Sequence, residues 1–420
     1  MKAWEKQVHG AIILLVFLIF QLAGRYLKQH EGDLDSNGLL PRRVPRVQRY
    51  HNSDASLCAP FLDKINEYWI TKGEPQIRNY EDIRLTSRGR VGQYGVVMSN
   101  GVGDNTVDDF EIEVTFKIYN DRSKPKNTQQ LIGDGMAIVI SPEKDFMSHN
   151  MLSSYARKQY EHNSGGILGN DRTMMGFPKN LPGLAIVVDT YRNSKKTKLQ
   201  PPFLSLMLNI DPEQHHYSPE TDGEESTGYS LKPLTKLKKS LVTGAVTKLR
   251  IIYLESIGFL KIDMDYSSNG NWIEIYQKDS GLFLPKNMKT GQRFIGVGAS
   301  TGELTETVEI KRVDTYEFHW EGHDEDNYDY VEEMKFFLAH EYGEYVNLGH
   351  DDFANWKMAR AEGLEFDSLA SQQDQKSGYF FFLFKWCIIL FSIYMLSVYV
   401  RVSLRRLKMV KQKHKHGLLG

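Results

Sequence analysis

Cysteine is nearly absent. The chain has two, Cys58 and Cys387, and the second lies in an apolar run, so no internal disulfide framework is available. Net charge is nearly absent too. Fifty-two Lys and Arg stand against 53 Asp and Glu, a formal charge of −1, which leaves no global field to draw in nucleic acid. The sequon Asn-x-Ser/Thr does not occur, although asparagine is frequent. The chain therefore offers no acceptor for an N-glycan of its own. No phosphate-cradling loop and no spacing of zinc ligands is present, and His149, His162 and His319 are scattered.

What is present is a globular composition, 41% hydrophobic and 25% charged over 420 residues. Two apolar segments bracket it. The first, residues 11–23, follows Lys2, Lys6 and His9; residues 1–24 read as a secretory signal peptide or an uncleaved signal anchor. The second, within residues 378–400, is interrupted by Lys385. As a helix it would reach about 33 Å, enough to cross a bilayer core. The tail 401–420 carries Arg401, Arg405, Arg406, Lys408, Lys411, Lys413 and Lys415 and no acid. The positive-inside rule puts that tail in the cytosol and the bulk of the chain in the lumen.

Residues 25–56 read as a linker, with Pro41, Pro45 and no apolar period. From residue 57 the pattern has period two. Phe110, Ile112, Val114, Phe116 and Ile118 alternate with Glu111, Glu113, Thr115 and Lys117, a strand half-buried with an outward charged face. Further strands are expected at 136–140, 203–210, 246–254, 257–266, 272–276, 294–299 and 308–318. Residues 148–162 are the one helix-like interruption. Many strands and few helical windows predict an all-β, two-sheet antiparallel sandwich over 57–320. From 321 to 377 the chain turns acidic, and 331–345 reads as an amphipathic helix of a stalk.

The segment 181–193 organises the rest. Residues 184–188 are a short apolar run, the pattern of a strand buried on both faces. It ends in Asp189, Tyr191 and Asn193, oxygen-bearing residues at alternate positions. A carboxylate, a backbone carbonyl and an amide oxygen on a rigid strand end suit a hard cation such as Ca²⁺. A polar strand exit into a turn would use the same residue types.

Four motifs then fall in order: Gly133-Asp134-Gly135; Gly183-Leu184-Ala185 through Asp189-Thr190-Tyr191-Arg192-Asn193; Asp222-Gly223; and Gly298-Ala299-Ser300-Thr301-Gly302-Glu303-Leu304. In this the chain resembles the L-type, legume-lectin-like cargo receptors of the early secretory pathway, and most of all a divergent fungal branch of them. The resemblance spans about residues 57–320. It implies a concanavalin A-like jelly roll, with Ca²⁺ held by Asp189, the Tyr191 carbonyl, Asn193 and Asp222. It implies a sugar site of Asp134, Asn193, Gly302, Glu303 and Leu304 for mannose. It also implies high-mannose N-glycoproteins as partners, coat proteins met through the cytosolic tail, and a place in the endoplasmic reticulum membrane, the nuclear envelope, the intermediate compartment or the Golgi. Such a site makes chemical sense, because a carboxylate with backbone amides satisfies paired sugar hydroxyls.

Three departures stand out. The family's histidine three residues before the Asp222 position is Pro219 here, with His215 and His216 further upstream. The family's Gly-Asp-Leu is Gly302-Glu303-Leu304, and its disulfide has no counterpart. Two rival readings follow. A sandwich of this kind can host a glycoside hydrolase, with Glu111 and Glu113 or Asp263 and Asp265 as paired acids. Each pair sits on the polar side of a strand, so a solvated face is expected and no enzyme. The other rival is a lectin-fold protein-interaction module that has lost the sugar.

Overall fold

The computed structural model describes residues 46–103, 108–120, 132–147, 173–320 and 329–346. They divide into a large unit over Gln48–His319 and a smaller one that includes Trp320–Glu344. Among the described residues fifteen strands occur: β1 (Val47–His51), β2 (Trp69–Gly73), β3 (Gln76–Arg78), β4 (Asp82–Thr86), β5 (Tyr94–Ser99), β6 (Phe110–Tyr119), β7 (Gly135–Ser141), β8 (Gly183–Asp189), β9 (Phe203–Asn209), β10 (Tyr229–Lys236), β11 (Thr247–Leu254), β12 (Phe259–Asp265), β13 (Ile273–Lys278), β14 (Phe294–Ser300) and β15 (Thr307–Trp320).

They form two sheets. Sheet A runs β13-β12-β11-β6-β15-β4-β3 with β1 on β15; sheet B runs β10-β9-β8-β7-β14-β5-β2. The ladders along both sheets are antiparallel. This is the expected all-β sandwich.

Period two explains the core. Ile112, Val114 and Phe116 of β6, Leu249 and Ile251 of β11, and Leu260 and Ile262 of β12 lie in one cluster with Met136 and Ile138 of β7, Ile186 and Val188 of β8, and Leu204 and Leu206 of β9. Each side chain buried this way contributes roughly 1.5–3 kcal/mol. Sheet B is covered on its other face as well. Ala137, Val139, Ala185, Val187 and Met207, the alternate residues of the same strands, pack with Met174, Phe177, Leu181, Phe146 and Tyr217. Burial on both faces is why 184–188 reads as an unbroken apolar run.

Two expectations change. The outward face of sheet A is not solvated: Glu111, Asp263 and Asp265 are each 1% exposed. Long cations lie over the acids. Arg49 donates to both carboxylate oxygens of Glu111 at 3.0 Å. Arg250 reaches Asp263 at 2.7 Å and lies 4.2 Å from the centre of the Trp272 ring. Asp265 instead accepts from the turn amides of Ser267 and Gly270. The fourth acid of these pairs, Glu113, is half-buried and accepts from Lys248 at 3.1 Å. Second, β1 lies inside the stretch expected to be linker and pairs with β15.

In the smaller unit, helix α1 (Tyr330–Tyr342) begins one residue before the predicted amphipathic stretch and ends three residues short of its end. Asp329 caps it by accepting from the Glu332 N–H, and Gly343 closes it in the left-handed conformation. Val331, Met334, Phe337 and Leu338 are its buried apolar residues. Among the described residues no helix is long and apolar enough to cross a membrane. The expected leader 1–24, insert 148–162, span 378–400 and tail 401–420 lie outside the described residues.

Candidate functional site

The antiparallel order β8-β7-β14 brings three distant motifs to one end of sheet B. Gly135 opens β7 opposite Asp189, the last residue of β8. Ser300, the last residue of β14, pairs with Gly135 from the other side. Gly135 sits at φ 145°, and a Cβ there would lie 2.1 Å from the Val188 carbonyl. Only glycine fits, so the Gly133-Asp134-Gly135 motif is a packing requirement as well as a chemical one.

Asp134 is held on three sides. Its N–H donates to the Ser300 carbonyl at 3.2 Å, and its carbonyl accepts from the Thr190 N–H at 2.9 Å. Its carboxylate accepts from the Gly302 N–H. The contact is close: a Cβ on Gly302 would stand 2.8 Å from Asp134 Oδ1. Tyr191 and Leu304 flank Gly133, at 3.0 and 3.6 Å from where a Cβ would be. Four of the predicted residues are thus gathered at one place. Glu303, beside them in sequence, is exposed.

The predicted cation residues lie next to this group. Asp189 is 2% exposed and accepts from the Tyr191 N–H at 2.9 Å. Asp222 is fully buried, in the left-handed conformation at the end of the turn Pro219–Thr221. Its two oxygens accept from the N–H groups of Asn193 at 2.7 Å and Ser194 at 3.1 Å. The Asn193 side chain is exposed, and its amide nitrogen donates to the Pro219 carbonyl at 3.1 Å. Asp222 therefore pins the exit of β8 to the 218–223 turn.

Three residues escaped the sequence reading. Glu306 is fully buried and accepts from the Thr190 hydroxyl at 2.8 Å. Period two carried a signal for it, since Val308 and Ile310, on the same side of β15, are core residues. Tyr217 is buried behind the acids. Thr190 joins two of the motifs. His215 packs edge-on against Tyr229 and His216 bonds Thr227, while Tyr217 is the loop residue turned to the acids.

The electrostatics are one-sided. Burial pushes the Asp134 carboxyl up, against the pull of the Gly302 N–H. Burial drives Asp189 well above the carboxylate range, and the charges of Asp222, Asp134 and Glu306 add to that. Glu306 is pushed up to about 8, by burial first and by Asp134 after it, against the Thr190 bond. The Tyr217 phenol is raised by burial and then by Asp189, Asp222 and Asp134. Among the described residues no lysine, arginine or histidine pairs with any of these four acids.

Buried carboxylates without a counter-charge are costly and call for a cation. Among the described residues no three acidic, histidine or cysteine side chains converge tightly enough to cage a metal alone. The predicted set does not require that. It combines two carboxylates, one amide oxygen and one backbone carbonyl, an all-oxygen set suited to Ca²⁺. The residues present fit the ion.

An antiparallel sandwich with an acidic, oxygen-rich end and a carboxylate held against a glycine turn defines a lectin-like scaffold. The chain belongs to the legume-like lectin family, whose profile matches residues 48–325. It is 44% identical to Protein UIP5 of Saccharomyces cerevisiae over 431 residues, covering 98% of this chain and 96% of that protein. Solved structures similar to it include the exoplasmic/lumenal domain of VIP36 in a Ca²⁺/Man3GlcNAc-bound form, at 22% identity, 67% of this chain, 97% of that chain and a TM-score of 0.46. Another is a legume lectin-like domain from Entamoeba histolytica, at 15% identity, 63% and 98% coverage and a TM-score of 0.39.

Proposed function

We propose that the sandwich is a Ca²⁺-dependent reader of high-mannose glycans on glycoproteins, carried on a single membrane span with the lectin-like unit in the lumen of the early secretory pathway. It is a binding protein in sorting or transport, not an enzyme. The observation that carries the reading is the group of the buried acids Asp189, Asp222 and Glu306 with the half-buried Asp134, with none of which a cation of the described residues pairs. Asp189, the Tyr191 carbonyl, Asn193 and Asp222 would hold the ion. Bound there, Ca²⁺ would supply the missing positive charge.

The chain's own residues do the rest. Asp134, fixed by Ser300, Thr190 and Gly302, presents carboxylate oxygens that accept from sugar hydroxyls. Gly302 leaves room beside them, and Leu304 gives an apolar edge for a sugar ring. Asn193 serves both ion and sugar. A buried polar set of this kind rejects ligands that leave it unpaired.

A second reading has its own support. Pro219 occupies the family's histidine position, and Glu303 points a longer carboxylate into solvent. A lectin fold that reads protein surfaces would tolerate both. Calorimetric titration of the full-length chain in detergent, with Ca²⁺ and then a high-mannose oligosaccharide, separates the two. Heat from both steps is the expected result. Asp134→Ala should abolish the second heat and leave the first within about threefold in Kd. Heat from Ca²⁺ alone in the unmodified chain would favour the protein-interaction reading, and heat from neither would end the Ca²⁺ site.

A further inference from the structure

Thr190 stands between Asp189 and Tyr191 yet belongs, by its bonds, to two other segments. Its N–H donates to the Asp134 carbonyl at 2.9 Å. Its hydroxyl donates to Glu306 Oε2 at 2.8 Å. Thr190 is 4% exposed and Glu306 is fully buried. Glu306 lies two residues beyond Leu304, and its carbonyl accepts from Thr86 Oγ1 at 3.0 Å, which anchors it to β4. Its other carboxylate oxygen, Oε1, is buried without a partner.

Packing does not account for this pair. The inward positions that follow on β15 are Val308 and Ile310, and an apolar residue would avoid the cost of a half-satisfied buried carboxyl. A buried hydroxyl–carboxyl bond is stiff and directional, because neither partner can exchange it for water. Here it spans the two segments that the proposed function needs in register, 189–193 and 302–304.

We infer that the Thr190–Glu306 hydrogen bond is the strut that passes order from the cation segment 189–193 to the sugar loop 302–304. Both are positioning residues and neither touches ion or sugar. The inference rests on the Ca²⁺-dependent reading above. When 189–193 is fixed, Thr190 is fixed, and through it both the Asp134 backbone and the root of the sugar loop.

Amide hydrogen exchange on the full-length chain, with and without Ca²⁺ alone, tests this without any sugar. In the unmodified chain Ca²⁺ should slow exchange at 189–194 and also at 301–305. Thr190→Val keeps the N–H and the shape but loses the hydroxyl. It should keep the Ca²⁺ effect at 189–194 and lose it at 301–305, while mannose affinity falls about tenfold, the equivalent of one buried hydrogen bond. Glu306→Gln retains an oxygen acceptor and should keep the effect at both segments, whereas Glu306→Ala should lose it at 301–305. A role in stability alone would not follow that pattern of rescue. Protection at 301–305 that survives Thr190→Val overturns the strut. So does Ca²⁺ protection confined to 189–194 in the unmodified chain, which leaves the Ca²⁺ site standing. No Ca²⁺ effect at either segment overturns the site and the strut together.

Discussion

On sheet A, Asp82 lies between Arg78 and Lys311. Glu309 there accepts from Tyr119, Arg78 and Arg84 at 2.7, 2.9 and 3.0 Å. Burial pushes Glu309 up, but the Tyr119 and Arg84 bonds and the charges of Lys311 and Arg78 leave it below its ordinary value. At the end of sheet B, Asp134, Asp189 and Glu306 are all raised by burial, and the charges of neighbouring acids push Asp189 and Glu306 further up. Both sets are acids that burial in one fold pushes up. The difference lies in what each strand's neighbours supply. Alternation on β11, β12 and β15 sets cations directly opposite acids, as with Arg250 and Asp263. Where β7 begins and β8 and β14 end, acids come from separate segments, and among the described residues no cation pairs with them. The first arrangement completes a fold, and the second leaves a place for something outside the chain.

The largest effect should come from breaking a completed pair. Arg293 is 1% exposed, donates to Glu255 at 3.0 Å and also bonds the Leu284 carbonyl. Burial raises Glu255, yet Arg293 and Lys286 bring it below its ordinary value. Arg293→Met keeps the bulk and removes the charge. With the Arg293 charge gone from beside Glu255, it should cost about 3 kcal/mol, read as a lower urea midpoint. An unchanged midpoint would mean that the compensated acids matter no more than surface pairs.

The same kind of change at the other end should have the opposite sign. Asp189→Asn keeps an oxygen for the Tyr191 N–H and removes an acid that its buried surroundings oppose. Without Ca²⁺ the variant should be about 1–2 kcal/mol more stable than the unmodified chain. With Ca²⁺ present that order should reverse, because a ligand that binds the folded state stabilises it and the variant has lost the site. Loss of stability in the absence of Ca²⁺ would show that Asp189 is satisfied by the chain alone.

Much of this was legible in the sequence, and the limit has a physical shape. The sandwich follows from period two, and the run 184–188 announces a strand covered on both faces. The candidate cation residues stand out in the sequence because three of them crowd one strand exit. What alternation could not tell was whether an outward acid meets water or a cation. Glu111 and Asp263 looked solvated because their partners, Arg49 and Arg250, come from strands whose register is a tertiary fact. Thr190 and Tyr217 were hidden for the same reason. Glu306 was not hidden: an acid in register with Val308 and Ile310 marks a buried charge, and a buried charge marks a site.

The smallest effect comes from an acid between the two cases. Glu143 follows β7 at the end away from Asp134, is half-buried, and its N–H donates to Ser141 Oγ at 3.1 Å. Burial and then Asp145 raise it from 4.5 to about 7, while Lys289 pulls it back in part. The folded chain therefore holds a proton that the unfolded chain releases between those values. That contribution is complete below about pH 4.5 and lost as pH rises through about 7. Glu143→Gln cannot titrate, so relative to it the unmodified chain should lose about 1 kcal/mol between pH 4.5 and about pH 8, most of the full shift being screened at a half-exposed site. Urea denaturation of both proteins across that range gives the difference. A slope near zero would move Glu143 to the compensated class, with Lys289 sufficient as its partner. A slope several times larger would place it with Asp189 and Glu306, as an acid its fold leaves unanswered.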